Sequence, residues 1–346
     1  MIGKMQAALK VEAAPGVTID LVDIPRIGPC DVLIEVKAAS ICGTDVHIYE
    51  WDAWARSRVE VPRIFGHEFA GLVVEVGHDV TSLVPGDFVT AETHITCGEC
   101  YQCRTGQGHI CRNVKIVGVD RDGAFAQYIA LPASVAWKTG KEIEQNVASI
   151  QEPFGNAVHA VYAGEITHKT VVISGCGPIG LWAVGLCRIS GSSTIFALEP
   201  NHKRLDLAHA MGADYTLDPR EVDPVEHILE VTEGLGVDVV LEMSGNPGAI
   251  RQGFQALRNG GRVSLLGLPA TSVELDLANA IIFKGATVSG ISGRRLFDTW
   301  YRTRRILQQG QLDLKLVITH TLPFERLQEA LEIMKSGDCG KIVLTF

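Results

Sequence analysis

The run Gly175-Cys176-Gly177-Pro178-Ile179-Gly180 constrains the fold of this chain more than any other stretch. A G-x-G-x-x-G run alone is a weak signal. Here it follows a continuous apolar segment, Thr170 to Ser174, and opens a helical pattern from Leu181 to Arg188. A second strand-like segment, Thr194 to Leu198, ends at Glu199, nineteen positions beyond Gly180. Strand, glycine turn, helix, strand and acid in that order specify a βαβ unit that binds a dinucleotide. Gly175, Gly177 and Gly180 let the backbone approach a pyrophosphate, which the helix N-terminus attracts. Glu199 is placed to accept hydrogen bonds from a ribose diol and to repel a 2′-phosphate, so NAD is expected over NADP. Lys203 and Arg204, just beyond, blunt that preference.

The alternation continues with a helix at Lys203 to Met211, a strand near Asp214 to Leu217 and a helix at Pro224 to Thr232. It goes on with a strand at Val237 to Met243, a helix at Pro247 to Leu257 and strands at Arg262 to Gly267 and Ala286 to Ile291. Six strands with intervening helices predict a doubly wound parallel sheet, a Rossmann domain. Leu266-Gly267-Leu268 and Ile291-Ser292, at carboxyl ends of strands, are expected on the nicotinamide side.

At 346 residues the chain is too long for one ordinary core, so two domains are expected. Residues 1 to about 155 read as short strands: Val17 to Ile24, Asp31 to Ala39, Phe69 to Val76, Asp87 to Ala91 and Ala124 to Leu131. Pro15-Gly16, Gly28-Pro29 and Pro85-Gly86-Asp87 punctuate them, which predicts a small, partly closed barrel or sandwich. The tail offers a long amphipathic helix from Phe297, a strand at Leu316 to Leu322, a helix at Phe324 to Lys335 and a strand at Lys341 to Thr345. That last strand is expected to return and pair in the first lobe.

Two metal-ligand patterns sit in the strand-rich half. Cys42, His67 and Glu68 offer a thiolate, an imidazole and a carboxylate. Three protein ligands and one open position are what distinguish a catalytic zinc from a structural one. Thr44 and His47 lie beside Cys42 as candidates to carry a proton away. Thr44 or Asp45 is expected to cap a short helix after Cys42, with His47 in its first turn. His67 and Glu68 are neighbours in sequence, and neighbours on a strand point to opposite faces, so both reaching one ion demands a bend.

The second pattern is Cys97, Cys100, Cys103 and Cys111, a C-x2-C-x2-C-x7-C spacing that can wrap one tetrahedral ion. An iron–sulfur cluster also takes four thiolates, but its usual spacings differ. With no open position, this site is expected to be structural. Nine cysteines make an awkward count for disulfides, so the remaining Cys30, Cys176, Cys187 and Cys339 are read as buried thiols.

Composition excludes other classes. Lys+Arg 31 against Asp+Glu 40, a net charge of −9, disfavours non-specific binding to nucleic acid or anionic membrane. No apolar run approaches a membrane span, and Lys4 and Gln6 interrupt a signal-peptide pattern, so a cytoplasmic location is expected.

A zinc site, a four-cysteine lobe and a late dinucleotide fold together resemble the zinc-dependent medium-chain alcohol dehydrogenases, over essentially the whole chain. Finer detail resembles the threonine-oxidising branch: Ile41 to Ile48, Trp51-Asp52-Ala53-Trp54-Ala55, Val119 to Gly123, Glu152 to His159 and Gly293 to Trp300. The resemblance implies a discontinuous catalytic domain of GroES-like, partly open β-barrel fold over 1–155 and 297–346, with an NAD-binding domain over 156–296. It implies Cys42, His67 and Glu68 as catalytic zinc ligands, Thr44 and His47 as the proton relay, and Glu152 as an acid close to the metal. Whether Glu68 or Glu152 completes the coordination shell stays open. Cys97, Cys100, Cys103 and Cys111 become a structural zinc site. Ile179, Glu199, Arg204, Leu266 to Leu268 and Ile291-Ser292 match NAD-contacting positions. L-threonine as substrate, a homotetramer and a downstream 2-amino-3-oxobutanoate CoA ligase are further implications.

For the substrate's charged groups the candidates are Glu152 for the ammonium, His94 as a cleft residue and Arg294 for the carboxylate. Trp51 and Trp54 are read as packing or subunit contacts. The nearest rival is a polyol or 2,3-butanediol dehydrogenase on the same scaffold. A zinc scaffold without catalysis, or a zinc-free quinone reductase, would fit fewer of these residues.

Overall fold

A computed structural model describes residues 2–140 and 142–346. The chain forms two compact units, Met1–Pro153 with Ile318–Phe346, and Phe154–Val317. The boundaries differ from the sequence reading chiefly at the tail. The helix Asp298–Gln309 goes with the second unit, where its buried Trp300, Thr303 and Ile306 find their core.

The first unit opens with strands β1 (Lys4–Lys10), β2 (Thr18–Asp23) and β3 (Asp31–Ser40), followed by the helices Gly43–Glu50 and Ala53–Arg58. Next come β4 (Arg63–Ile64), β5 (Glu68–Val76), β6 (Phe88–Ala91) and the short hairpin of β7 (His94–Ile95) and β8 (Lys115–Ile116). Strands β9 (Tyr128–Pro132) and β10 (Ala136–Lys138) complete this stretch. The second unit contributes β11 (Thr170–Ser174), β12 (Thr194–Leu198), β13 (Tyr215–Leu217), β14 (Val237–Glu242), β15 (Leu257–Leu265) and β16 (Thr287–Gly290). The chain then returns to the first unit with β17 (Ile318–Pro323) and β18 (Lys341–Thr345).

In the first unit a sheet ordered β2-β1-β4 stands beside one ordered β10-β6-β5-β3-β18-β17, with β9 also paired to β3. Neither order closes on itself. Phe65, Phe69, Phe125, Val32, Ile34 and Leu344 fill the core. The expected return of the last strand is present: β18 runs antiparallel to β3, with Val343 opposite Ser40. On the other side of β3, Ser40 faces Glu68 of β5. Three adjacent strands thus converge at one end on Ser40, Glu68 and Lys341.

The second unit is the doubly wound sheet, ordered β13-β12-β11-β14-β15-β16 and parallel throughout. Its central strands read as continuous apolar runs because both faces are covered. Asn201, Asp223 and Asn246 cap the helices that follow β12, β13 and β14, each accepting from the first helical turn.

Several elements depart from the sequence reading, which assigned none of β1, β10 and the helix Ala53–Arg58, and three more differ from it. The helix Gln151–Val161 was not anticipated, since Pro153 and Gly155 sit inside it. Its residues are nearly all buried, so packing outweighs propensity there. The five-residue turn Ala278–Ile282 is a π-helix with no periodic signature. The helix after Cys42 is capped by Cys42 itself, with Asp45 at its third position returning a bond to the Cys42 N–H at 2.9 Å. His47 is therefore the fifth helical residue, beyond the first turn.

Candidate metal centre and cofactor loop

Cys42, His67 and Glu68 come together. Their ligand atoms all lie within 4.8 Å of one another. The bend that two sequential ligands require is supplied by Gly66, whose φ of +85° suits only glycine, and by the start of β5 at Glu68. His67 thus stands just outside the strand while Glu68 is its first residue.

The surroundings suit a cation. His67 Nδ1 lies 3.7 Å from the Asp45 carboxylate, which orients the ring and leaves Nε2 for a ligand bond. His67 Nδ1, Asp45 Oδ1 and Glu68 Oε1 are buried polar atoms with no hydrogen-bond partner. Burial pushes the Asp45 carboxyl up to about 6, against the pull of His67. Burial also works against a charged His67 ring, but Asp45 and Cys42 outweigh it and lift the ring to about 10. A thiolate, an imidazole and a carboxylate with this excess of negative charge match zinc.

Glu68 is restrained by a partner the sequence reading missed. Lys341, 3 % exposed, donates to one Glu68 oxygen and, at 2.8 Å, to the Ile41 carbonyl. Ser40 Oγ donates to the same Glu68 oxygen. The only cue in sequence is one lysine heading an otherwise apolar strand. Glu152, 4 % exposed, accepts from Thr93 Oγ1 at 2.9 Å.

Thr44 Oγ1 lies 3.7 Å from the Cys42 sulfur. His47, three residues along the helix and on the same side, is more than half exposed. Its Nδ1 meets Asp52 Oδ2 at 2.6 Å, and its ring lies 5.9 Å from that of Trp54. Asp52 also caps the next helix through Ala55 N–H, so its position is fixed from both sides. Trp51 is buried in the core, as a packing residue should be.

His94 is part-buried, its Nδ1 2.9 Å from Glu92 Oε1. Two other expectations are corrected. Arg294 is buried in the second unit, lying against Gly155 and donating to Asn156 at 3.1 Å, so it braces a helix rather than presenting a charge. Cys30 is exposed, not buried, whereas Cys176, Cys187 and Cys339 are buried as expected.

Cys97, Cys100, Cys103 and Cys111 form a second group. Neighbouring sulfurs stand 3.5 Å (Cys100–Cys103), 3.8 Å (Cys100–Cys111) and 3.5 Å (Cys97–Cys111) apart. A tetrahedron with Zn–S bonds of about 2.3 Å has edges of about 3.8 Å. An iron–sulfur cluster surrounds several metal atoms and would spread its thiolates farther. Backbone N–H groups of Cys97, Cys100 and Asn113 point at these sulfurs at 3.4 Å, as thiolates require. The donor set fits a closed, structural zinc.

In the second unit Gly175 takes φ +91° and Gly177 caps the helix Pro178–Ile189. Glu199, just after β12, accepts from Cys176 N–H at 2.8 Å and Asn201 N–H at 3.1 Å. The acid is thereby held against the glycine loop. Arg204 sits one turn into the next helix, its N–H 3.3 Å from the Asn201 cap. Ile179 is half-buried, Leu266 and Gly267 follow β15, and Leu268 is 90 % exposed. Ile291 is buried and bonded to Leu265 at 2.8 Å, with Ser292 exposed beside it.

The family model for the alcohol dehydrogenase GroES-like domain matches residues 28–141, and that for zinc-binding dehydrogenases matches residues 178–309. An L-threonine 3-dehydrogenase from Caldanaerobacter subterraneus subsp. tengcongensis is 52% identical over 345 residues, 99% of each chain. Among solved structures, an alcohol dehydrogenase from E. coli CFT073 complexed with NADH superimposes with a TM-score of 0.91 at 26% identity, over 99% of both chains. The 2R,3R-butanediol dehydrogenase of Bacillus subtilis does so at 0.90 and 27% identity, also over 99% of both. The chain belongs to the zinc-dependent medium-chain alcohol dehydrogenases.

Proposed function

We propose that this chain oxidises the 3-hydroxyl of L-threonine with NAD, giving L-2-amino-3-oxobutanoate, the reaction of an L-threonine 3-dehydrogenase. The observation that carries this reading is the 52% identity to a protein of that name across 99% of the chain. The butanediol dehydrogenase shares the fold at 27% identity, which leaves that rival well behind.

Zinc supplies Lewis acidity, able to bring bound water from a pKa of about 15.7 to about 7, and NAD supplies the hydride acceptor. Cys42, His67 and Glu68 hold the metal, with Asp45 fixing the His67 ring. The hydroxyl proton leaves through Thr44 Oγ1 and a cofactor ribose hydroxyl to His47, which stands exposed to solvent with its Nδ1 2.6 Å from Asp52 Oδ2. Glu152, held by Thr93, takes the substrate ammonium. Gly175, Gly177 and Gly180 admit the pyrophosphate and Glu199 the ribose diol. Ile179, Arg204, Leu266 to Leu268 and Ile291-Ser292 line the rest of the cofactor.

The working form is a homotetramer. Strand β16 is an edge of its sheet, and Val288 on it is exposed along with nearby Ile282 and Phe283. Apolar side chains on an unpaired edge suit a second copy. The product is an unstable β-keto acid, so a CoA-dependent ligase is the expected consumer. No helix among the described residues is long and apolar enough to cross a membrane, and the proposed location is the cytoplasm.

The deciding assay is NADH formation with L-threonine, D-threonine, L-serine and 2,3-butanediol side by side. A dominant rate with L-threonine is expected. A higher rate with butanediol would return the polyol reading.

A further inference from the structure

Strand β14 runs down the middle of the parallel sheet and ends on a carboxylate. Glu242 is fully buried, and among the described residues no lysine, arginine or histidine pairs with it. An isolated buried carboxylate is costly unless several donors converge on it. Here they do. Its Oε1 accepts from Ser244 N–H at 3.0 Å, from Ser244 Oγ at 2.5 Å and from Gly245 N–H at 3.1 Å, and Oε2 is 3.2 Å from the same Gly245 N–H. The Glu242 carbonyl in turn accepts from Leu266 N–H at 2.9 Å and Gly267 N–H at 3.1 Å. One residue therefore pins two consecutive loops at the carboxyl end of the sheet.

Those loops lean on the glycine turn. A Cβ at Gly175 would come within 2.8 Å of the Ser244 side chain, and Met243 N–H bonds to Ser174 at 2.8 Å. On the other side, a Cβ at Gly267 would stand 2.8 Å from Glu242 Oε2, and one at Gly245 would meet Leu268 O at 2.5 Å. Gly175, Ser244-Gly245 and Gly267-Leu268 are thus stacked without slack, with the Glu242 carboxylate beneath the middle layer. A displacement there shifts both the pyrophosphate turn and the Leu266–Leu268 segment.

We propose that Glu242 is a positioning residue for the dinucleotide: its carboxylate sets the Ser244-Gly245 turn, and through it the backbone surfaces that NAD meets. This rests on the cofactor reading given above. Glu242 meets the Leu266-Gly267 segment directly, its carbonyl accepting from both N–H groups, and reaches Gly175 through Ser244. Burial raises its carboxyl above the ordinary value, and no charged side chain of β11, β15 or the turn offsets this. Protonation removes an acceptor from the turn, so cofactor affinity should fall as pH drops toward the upper carboxylate range.

The test is a fluorescence titration of the zinc-loaded protein with NADH, alongside steady-state kinetics, for wild type, Glu242→Gln and Glu242→Ala. Glu242→Ala should weaken NADH binding and raise the KM for NAD by about tenfold, the weight of one hydrogen bond to a charged acceptor. The fall in kcat and the change in KM for L-threonine should be much smaller. Glu242→Gln, which keeps one acceptor oxygen, should recover part of the affinity and should bind NADH without the acid-side loss of the wild type. If Glu242→Ala does not fold, judged by circular dichroism, the Gln variant alone decides. Unchanged NADH affinity together with the wild-type pH profile in Glu242→Gln would overturn the proposal. A wild type that binds no NADH would instead remove the cofactor reading beneath it.

Discussion

Cys42 occupies a double position: it closes the capping box of the helix Gly43–Glu50, and its sulfur belongs to the candidate metal centre. Cys42→Ser keeps a capping side chain and loses the soft ligand. It should leave the chain folded, with zinc retained only at the four-cysteine group and threonine oxidation abolished, as metal analysis beside the NADH assay would show. Asp45 touches His67 rather than the metal, so Asp45→Ala should lower zinc affinity by about 10–100-fold without removing a ligand. Competition with a chromophoric chelator measures it. The two clusters of candidate ligands were legible in sequence because zinc demands particular donor atoms, and few residue types supply them. Asp45, Asp52 and Lys341 were not, because orienting a ligand is a matter of distance in space. Any carboxylate or lysine meets that need, and Lys341 reaches Glu68 from the far end of the chain.

Individual elements follow the same logic. Strand β18 was readable because Ile342-Val343-Leu344 is a continuous apolar run and Gly340 precedes the strand. The helix Gln151–Val161 was hidden by Pro153 and Gly155, which only its buried surroundings accommodate. The tie between β18 and β5 has a measurable weight. Lys341→Met would leave Glu68 buried with its charge partner gone, a loss of about 3–5 kcal/mol that chemical denaturation can read. A second tie joins the helix Ala53–Arg58 to the loop after β8, where Arg58 grips Asp120 with two bonds of 2.8 and 2.7 Å. Burial alone would raise the Asp120 carboxyl, but Arg58 and the Ile116 N–H outweigh it and hold it below the ordinary value of 3.8. A carboxyl depressed in the folded state stabilises above its unfolded pKa, and that contribution fades as pH falls through the folded one. Arg58→Ala should therefore cost stability at neutral pH and little once the pH is below the depressed value, a difference visible in melting curves taken across that range.

For the molecule as a whole, the order of elements was legible because the period of the apolar pattern changes from two to about 3.6 between the strand-rich and the alternating halves. The allotment of the helix Asp298–Gln309 was not, since an amphipathic helix carries no label for the core it joins. The proposed assembly is testable at this scale. Val288→Lys places a charge on the open β16 edge, in the manner by which natural edges resist pairing. Sedimentation should show smaller species than the wild type, and a sedimentation profile identical to wild type would place the subunit contact elsewhere.

The lysine that steadies Glu68 lies in the final strand, whereas Cys42, His67 and Glu68 all lie within the first third of the sequence. During synthesis the ribosome delivers the ligands long before the group that balances their charge. A nascent chain halted short of Lys341 would carry an unanswered acid in its interior. Emergence of β18, more than arrival of the ligands, is then the event that lets this half of the protein settle, and products truncated before it should be recognisable to proteases for that reason.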